Sequence, residues 1–319
     1  MGEPATVLIT GGAGFIGTEL TRQLIDGGHR VRILDSLRRA KLEFVEPLLA
    51  TGRAELFEGD VRYRAAVERA IEGVDLVVHL AATSINKSVV DPAESVDINL
   101  AGSDNVFAAS TAHGVQRVIF ASTASVYGEP DSLPMSEDGP LKPQTPYCLS
   151  KLAAEHLLQF YGRTTGLDWV VFRFFNVYGP RQRNEAYYTS VINIFVDRLL
   201  AGEPPIIDGD GEQTMDFVHV RDIARGIVLA LELERGGHVI NLGTGTQTSI
   251  AELARILVAE VGTDVEPTFR PRDVLVTRRA ADIRRAAEVL GWHPAVGVKE
   301  GLAEVVATTI ADRARPQTR

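Results

Sequence analysis

Tyr147 and Lys151 stand four residues apart at the start of a helix-like stretch, and Ser122-Thr123 closes an apolar, strand-like run 24 residues before Tyr147. A spacing of four puts two side chains on one helical face, one turn apart. An ammonium held there favours a phenolate, and a tyrosine that ionises near neutral pH is a strong base toward a sugar or alcohol hydroxyl. A free phenol ionises near ~10, so bringing it to ~7 requires roughly 4 kcal/mol of differential stabilisation. One lysine does not supply all of that; a second cation, such as an oxidised nicotinamide, would. By itself the pair is a weak signal, because in many helices such a lysine merely lies along a packed ring with its head in water. The amino terminus changes the reading.

Ala5-Thr6-Val7-Leu8-Ile9-Thr10 is a short β-branched run of the kind that forms a buried parallel strand. It leads into Gly11-Gly12-Ala13-Gly14-Phe15-Ile16-Gly17, then a helical period to Ile25, a Gly27-Gly28 stop, and a second strand from Arg30 that ends at Asp35. Strand, glycine turn, helix, strand and acid in this order form a dinucleotide-binding unit. Gly11, Gly14 and Gly17 allow the tight turn and close approach of a pyrophosphate, while the helix start at Phe15 and Ile16 offers unpaired N–H groups. Asp35 can accept from both ribose hydroxyls and would repel a 2′-phosphate, which favours NAD over NADP, although Arg38 and Arg39 lie close by in sequence. Asp60 and Val61, after a third strand, would reach the adenine. Leu80, Ala81 and Ala82, after a fourth, would pass beneath the cofactor; His79 before them reads as a satisfied core histidine.

The elements that position these residues alternate. Strand-like runs at 56–57, 76–78, 118–120 and 169–175 are separated by helical stretches near 62–72, 93–113 and 147–165. This predicts an α/β fold, a Rossmann-type doubly wound parallel sheet, with a smaller C-terminal substrate-binding lobe. Asp91-Pro92 starts the helix carrying Asn99, and Thr145-Pro146 starts the one carrying Tyr147, a cap followed by proline at the first helical position. That phase puts Tyr147 at the rim and Lys151 one turn deeper. Past Gly179 the texture turns polar and punctuated, with helices expected near 188–201, 221–234, 249–262, 281–290 and 298–311. Residues 1–178 therefore form the nucleotide-binding domain, 221–242 return to it, and 179–319 are mainly the substrate lobe.

Hydrophobic content of 45% and charged content of 24% suit a water-soluble globular chain of 319 residues. A net charge of −9 without a basic stripe argues against nucleic acid. There is no signal-peptide pattern and no apolar run of membrane-spanning length. A single cysteine, Cys148, excludes an intramolecular disulfide and fits the cytoplasm; a helix turns it about 100° from Tyr147, toward packing. No ligand spacing calls for a metal.

With these residues assembled, the chain resembles the extended short-chain dehydrogenase/reductase family, in its nucleotide-sugar epimerase/dehydratase branch. The likeness runs over nearly the whole chain, through 10–17, 79–82, 122–128, 147–151, 173–181 and 208–214. It implies roles. Tyr147 would be the general base, Lys151 would bind the nicotinamide ribose and favour the phenolate, and Thr123 would hydrogen-bond the reacting oxygen. Asn99 would lie near the nicotinamide. Thr83, Ser122, Ser125, Asn176, Arg181, Arg183 and Arg272 would line the nucleotide-sugar site. Family dehydratases usually carry Asp-Glu after the threonine, and decarboxylases a glutamate at the second position; here stand Ala124 and Ser125. The resemblance then implies 4-epimerisation of a UDP-hexose or UDP-hexuronate through a transient 4-keto sugar, with 4,6-dehydration, decarboxylation and a non-enzymatic nucleotide sensor as alternatives. Met215 stands where many relatives have a diphosphate-binding arginine, so that Arg181, Arg183, Arg221 or Arg272 would supply that charge. The stretch 273–279 is longer and more basic than usual, so that an arginine such as Arg183 or Arg279 could meet a uronate carboxylate. The family's usual homodimer pairs the helices near 93–113 and 147–165.

Overall fold

The apolar runs picked out above become the inner strands of one sheet. The computed structural model describes residues 4–182, 190–271 and 278–314. Six strands come first along the chain: β1 (Thr6–Thr10), β2 (Arg30–Asp35), β3 (Ala54–Glu58), β4 (Leu76–His79), β5 (Arg117–Thr123) and β6 (Asp168–Phe174). After them come the short strands β7 (Asn176–Tyr178), β8 (Ile206–Asp208), β9 (Thr214–Met215) and β10 (Phe217–His219). The chain then forms β11 (His238–Leu242), β12 (Thr248–Ser249) and β13 (Thr268–Arg270). The main sheet runs β11-β6-β5-β4-β1-β2-β3, every pairing parallel. This is the Rossmann-type doubly wound sheet that the alternation predicts, and 238–242 lie on its edge, against β6.

Strand order reverses between β1 and β4, so their carboxyl ends open a crevice at the topological switch point. Val7, Leu8, Ile9, Val77, Val78, Ile119 and Phe120 are buried on both sheet faces, which explains why these strands read as continuous apolar runs. A third core outside the sheet joins Ile192, Phe195, Leu199, Ile207, Leu253, Leu257 and Leu302. The short pairs β7·β10, β9·β12 and β8·β13 surround it.

Two departures from the sequence reading matter. The single helix expected over 93–113 is in three parts: Pro92–Val96, a widened π turn at Asp97–Ala101, and Gly102–Ala112. A helix at Leu42–Leu49, which the sequence reading left out, follows β2. By contrast, the helix Pro146–Thr165 begins as expected: Thr145 Oγ1 accepts from Cys148 N at 3.3 Å, Pro146 occupies the first turn, and Gly166 ends it at φ +78°.

Candidate active site

The glycine turn is a fitted piece of backbone. Gly11 sits at φ +68°, and a Cβ there would lie 2.8 Å from the Ala81 nitrogen, so the exits of β1 and β4 touch. A Cβ on Gly17 would lie 2.5 Å from Gly12 Cα. The helix Phe15–Asp26 starts at Gly14, which offers its first N–H groups no side-chain acceptor. Asp35 closes the turn from the next strand, with one carboxylate oxygen accepting from Ala13 N at 3.1 Å and the other from Leu37 N at 2.9 Å. Burial holds its pKa above the ordinary carboxylate value against those two hydrogen bonds. A close-packed cradle with unclaimed helix N–H groups fits a dinucleotide pyrophosphate. After β3, Asp60 accepts from Arg62 at 2.7 Å, and Val61 packs where Gly102 has no side chain.

Lys151 is 1% exposed, and its Nζ lies 4.1 Å from the centroid of Phe120 on β5. Burial drives the ammonium down to about 7, with the charge of Glu155 opposing. Tyr147 is half-buried at the helix start, its backbone N–H donating to Ser88 Oγ at 3.2 Å. The turn between them is pinned: Ser150 Oγ donates to Tyr147 O and accepts from Asn99 Nδ2 at 3.1 Å, while Asn99 Oδ1 accepts from Thr83 N at 2.9 Å. Asn99 is 0% exposed, and its second amide bond goes to Ser95. This side chain thus ties the β4 exit to the Tyr147 helix. Beneath them His79 bridges Thr10 Oγ1 (2.6 Å) and Ser103 Oγ (2.9 Å). Burial first, then the Lys151 charge, keeps this imidazole well below its ordinary pKa and therefore neutral.

Strand alternation separates Ser122 from Thr123. Thr123 Oγ1 accepts from Ser125 N at 3.1 Å and caps the short 3-10 turn Ala124–Tyr127. Ser122 faces the helix Pro146–Thr165, where its hydroxyl donates to the carboxylate of Glu155, a partner other than the sugar the sequence reading assigned. Glu155, 1% exposed, also takes Arg173 Nη2 at 2.8 Å. Arg173 continues to Tyr127 Oη at 3.0 Å and Glu137 O at 3.1 Å. Sequence reasoning missed this group, whose one available signal is that Glu155 stands a turn beyond Lys151.

The remaining expected residues scatter. Asn176 Nδ2 donates to Asp216 O at 3.2 Å. Arg181, at φ +65°, lays its guanidinium 5.0 Å from the Phe44 ring, across from the residues after Asp35. Arg183 and Arg272 lie outside the described residues. Arg279 donates its backbone N–H to Thr214 O at 3.2 Å, beside Met215, and its buried Nε has no hydrogen-bond partner. Asp216 is a buried fastener that accepts from Thr244 N, Gly245 N and Ala281 N. Cys148 is buried and unpaired. Among the described residues no cluster has the makings of a metal site, and no helix is long and apolar enough to cross a membrane.

The family model that matches residues 7–243 is that of the NAD dependent epimerase/dehydratase family. The chain belongs to this family. A UDP-glucose 4-epimerase of Mycolicibacterium smegmatis is 37% identical over 94% of this chain and 96% of its own length. A dTDP-glucose 4,6-dehydratase of an Actinoplanes species is 35% identical over 96% and 98%. The crystal structure of a UDP-glucose 4-epimerase from Thermotoga maritima with UDP-glucose superposes with a TM-score of 0.90 at 36% identity, covering 97% of this chain and 99% of that one. NAD is the family's cofactor, as the glycine turn and Asp35 indicated.

The buried ammonium should cost stability. An unfolded lysine keeps its proton up to its ordinary value of 10.5 while the folded one loses it near 7. The unfolded chain therefore binds the extra proton between those limits, and stability at this site rises with pH across that window, the full penalty applying below about 7. Lys151→Met should accordingly raise the Tm at pH 6 by several degrees and by much less at pH 10, read by calorimetry. An equal or lower Tm at pH 6 would show that the ammonium carries no such cost.

Proposed function

We propose that this chain is an NAD-dependent nucleotide-sugar 4-epimerase acting on a UDP-hexose or UDP-hexuronate. The observation that carries the reading is the turn after Thr123. Ala124 is buried and apolar, Ser125 gives its N–H to Thr123, and the buried carboxylates Glu155 and Glu137 are held by Arg173 and by Asn241 N. No acid–base pair for eliminating water, and no glutamate for assisting decarboxylation, stands in that turn. In the reading, Tyr147 as phenolate takes the C4 hydroxyl proton, Thr123 steadies the oxygen, and Lys151 favours the ionised phenol. NAD, when bound by the glycine turn and Asp35, supplies the hydride acceptor and then the donor. Tyr147 returns the proton after the 4-keto sugar has presented its other face, which inverts C4. Residues 179–319 are mainly the lobe that holds the nucleotide sugar, and the unpaired, buried cysteine fits a cytoplasmic enzyme.

Purified protein offered a panel of UDP- and TDP-sugars should give a product of unchanged mass, inverted at C4 by NMR; loss of water or of CO₂ would replace epimerisation with dehydration or decarboxylation. Tyr147→Phe should lower kcat by about 10²–10⁴ with NAD retained, and undiminished turnover would remove Tyr147 from its role.

Arg279 is our candidate for the charge that Met215 lacks, because its unpartnered Nε lies on the segment bonded to Thr214. Arg279→Gln should raise KM for the UDP-sugar several-fold and spare kcat; an unchanged KM would return the arginine to a structural role. We also propose a homodimer through the helix Pro146–Thr165, whose Leu149 and Phe160 are exposed on one outward face, with Val96 exposed on the helix packed beside it. Light scattering should report a dimer, and the Leu149→Glu/Phe160→Glu double variant a monomer. A monomeric unsubstituted protein would end that proposal.

A further inference from the structure

We infer that Glu155 is a positioning residue, whose carboxylate, clamped by Arg173 and Ser122, is the counter-charge that keeps Lys151 cationic beneath Tyr147. The inference rests on the reading of Tyr147 and Lys151 as the reacting pair. Glu155 stands one helical turn past Lys151, on the same face, so the two charges share one side of the helix Pro146–Thr165. It is 1% exposed, which rules out a solvated surface role. Three groups from two other elements fix it: Ser122 Oγ from β5, and Nε (3.2 Å) and Nη2 (2.8 Å) of Arg173 from β6. Ser122 directly precedes Thr123, so this one carboxylate joins the strand bearing the threonine to the helix bearing the tyrosine and the lysine.

Among the described residues, Glu155 is the anion whose charge acts on Lys151. His79, on β4, is neutral, and Phe120, on β5, offers only its ring face. Tyr127 is pushed up to about 12 by burial, against the nearby Arg173 charge, so it stays a neutral phenol that takes the Arg173 guanidinium on its oxygen. Glu137 gives Arg173 its backbone carbonyl, and its carboxylate accepts from Asn241 N. Arg173 has a second consequence. A bare lysine–glutamate pair is neutral and offers a phenolate little; with Arg173 the group carries one net positive charge.

The chain has five lysines, Lys41, Lys87, Lys142, Lys151 and Lys299, so ε-¹³C-lysine NMR of the full-length protein with its NAD resolves Lys151 by its low titration midpoint. In Glu155→Gln, which keeps the side chain's shape, that midpoint should fall by roughly 1–3 pH units, the usual effect of an opposite charge within a few ångströms, with the other four unmoved. The kcat–pH profile should narrow, its acid limb moving up and its alkaline limb down, while KM stays within about twofold. A Lys151 midpoint unmoved in a folded, NAD-retaining Glu155→Gln protein overturns the inference. Should that variant not fold, Ser122→Ala keeps the carboxylate but removes a donor to it, leaving more of its charge for the lysine. The midpoint should then rise, and no movement overturns the inference equally. If the unsubstituted protein epimerises no sugar, the functional reading fails while the NMR titration still judges Glu155.

Discussion

Carrying an ammonium into an α/β core is the physical problem around which this site is arranged. An isolated buried charge costs several kcal/mol even after relaxation. Lys151 meets that cost with two neighbours. The ring face of Phe120 attracts the cation by about 2 kcal/mol once water is gone, and Glu155 supplies an opposite charge a turn away. Glu155 alone would overdo the compensation, since a neutral pair does little for a phenolate. Arg173 prevents this by claiming both oxygens of the same carboxylate. The lysine is thus destabilised, though short of losing its proton outright, and a residue in that state responds to whatever charge arrives above it.

The neutral groups around it are as necessary as the charged ones. A second cation beside Lys151 would drive its proton off. His79 occupies that dangerous place, and its two hydrogen bonds, to Thr10 and Ser103, are of a kind that a neutral imidazole satisfies by donating from one nitrogen and accepting at the other. Thr10 also accepts from Ala81 N at 3.3 Å, so the same chain of bonds holds the β4 exit against the glycine turn. The switch point therefore supplies more than a crevice. It brings the backbone that would meet the dinucleotide and the buried polar groups that govern the lysine into one connected set.

What could be read from the sequence was what depends on neighbours along the chain. The glycine turn, the capped start at Thr145-Pro146 and the parallel strands are set by local sterics and by apolar runs, and each appears where its residues placed it. Ser122 shows a reading that the same logic should have refined. Successive side chains on a strand face opposite ways, so Ser122 and Thr123 point to opposite sides of β5, and the Ser122 hydroxyl goes to Glu155. Asn99 and Arg181 escaped for another reason. The π turn that aims Asn99 at Thr83 and Ser150, and the left-handed backbone that swings Arg181 onto Phe44, are set by tertiary contacts with no pattern in the linear sequence. Glu155 was hidden by its type, because a glutamate one turn from a lysine ordinarily marks a solvated helix face. Only the fold shows that face turned inward against Arg173.

The turn after Thr123 bears on reaction outcome through packing as much as through missing acids. Ala124, Val126 and Tyr127 are buried in the main core, and Tyr127 Oη is fixed by Arg173 and by Asn241 Oδ1 at 2.7 Å. Ala124, 4% exposed, fills that apolar layer with a methyl group, where a carboxylate would need a partner of its own to remain charged. The position is built as a plug. On the proposed 4-epimerase reading, a keto sugar formed beneath Thr123 would find a phenol, a threonine hydroxyl and a serine, groups suited to steadying an oxygen, and the turn Ala124–Tyr127 itself offers no carboxylate to strip a carbon-bound proton. In that reading the turn after Thr123 supplies no base for elimination, and return of the hydride to C4 follows on whichever face the sugar has turned.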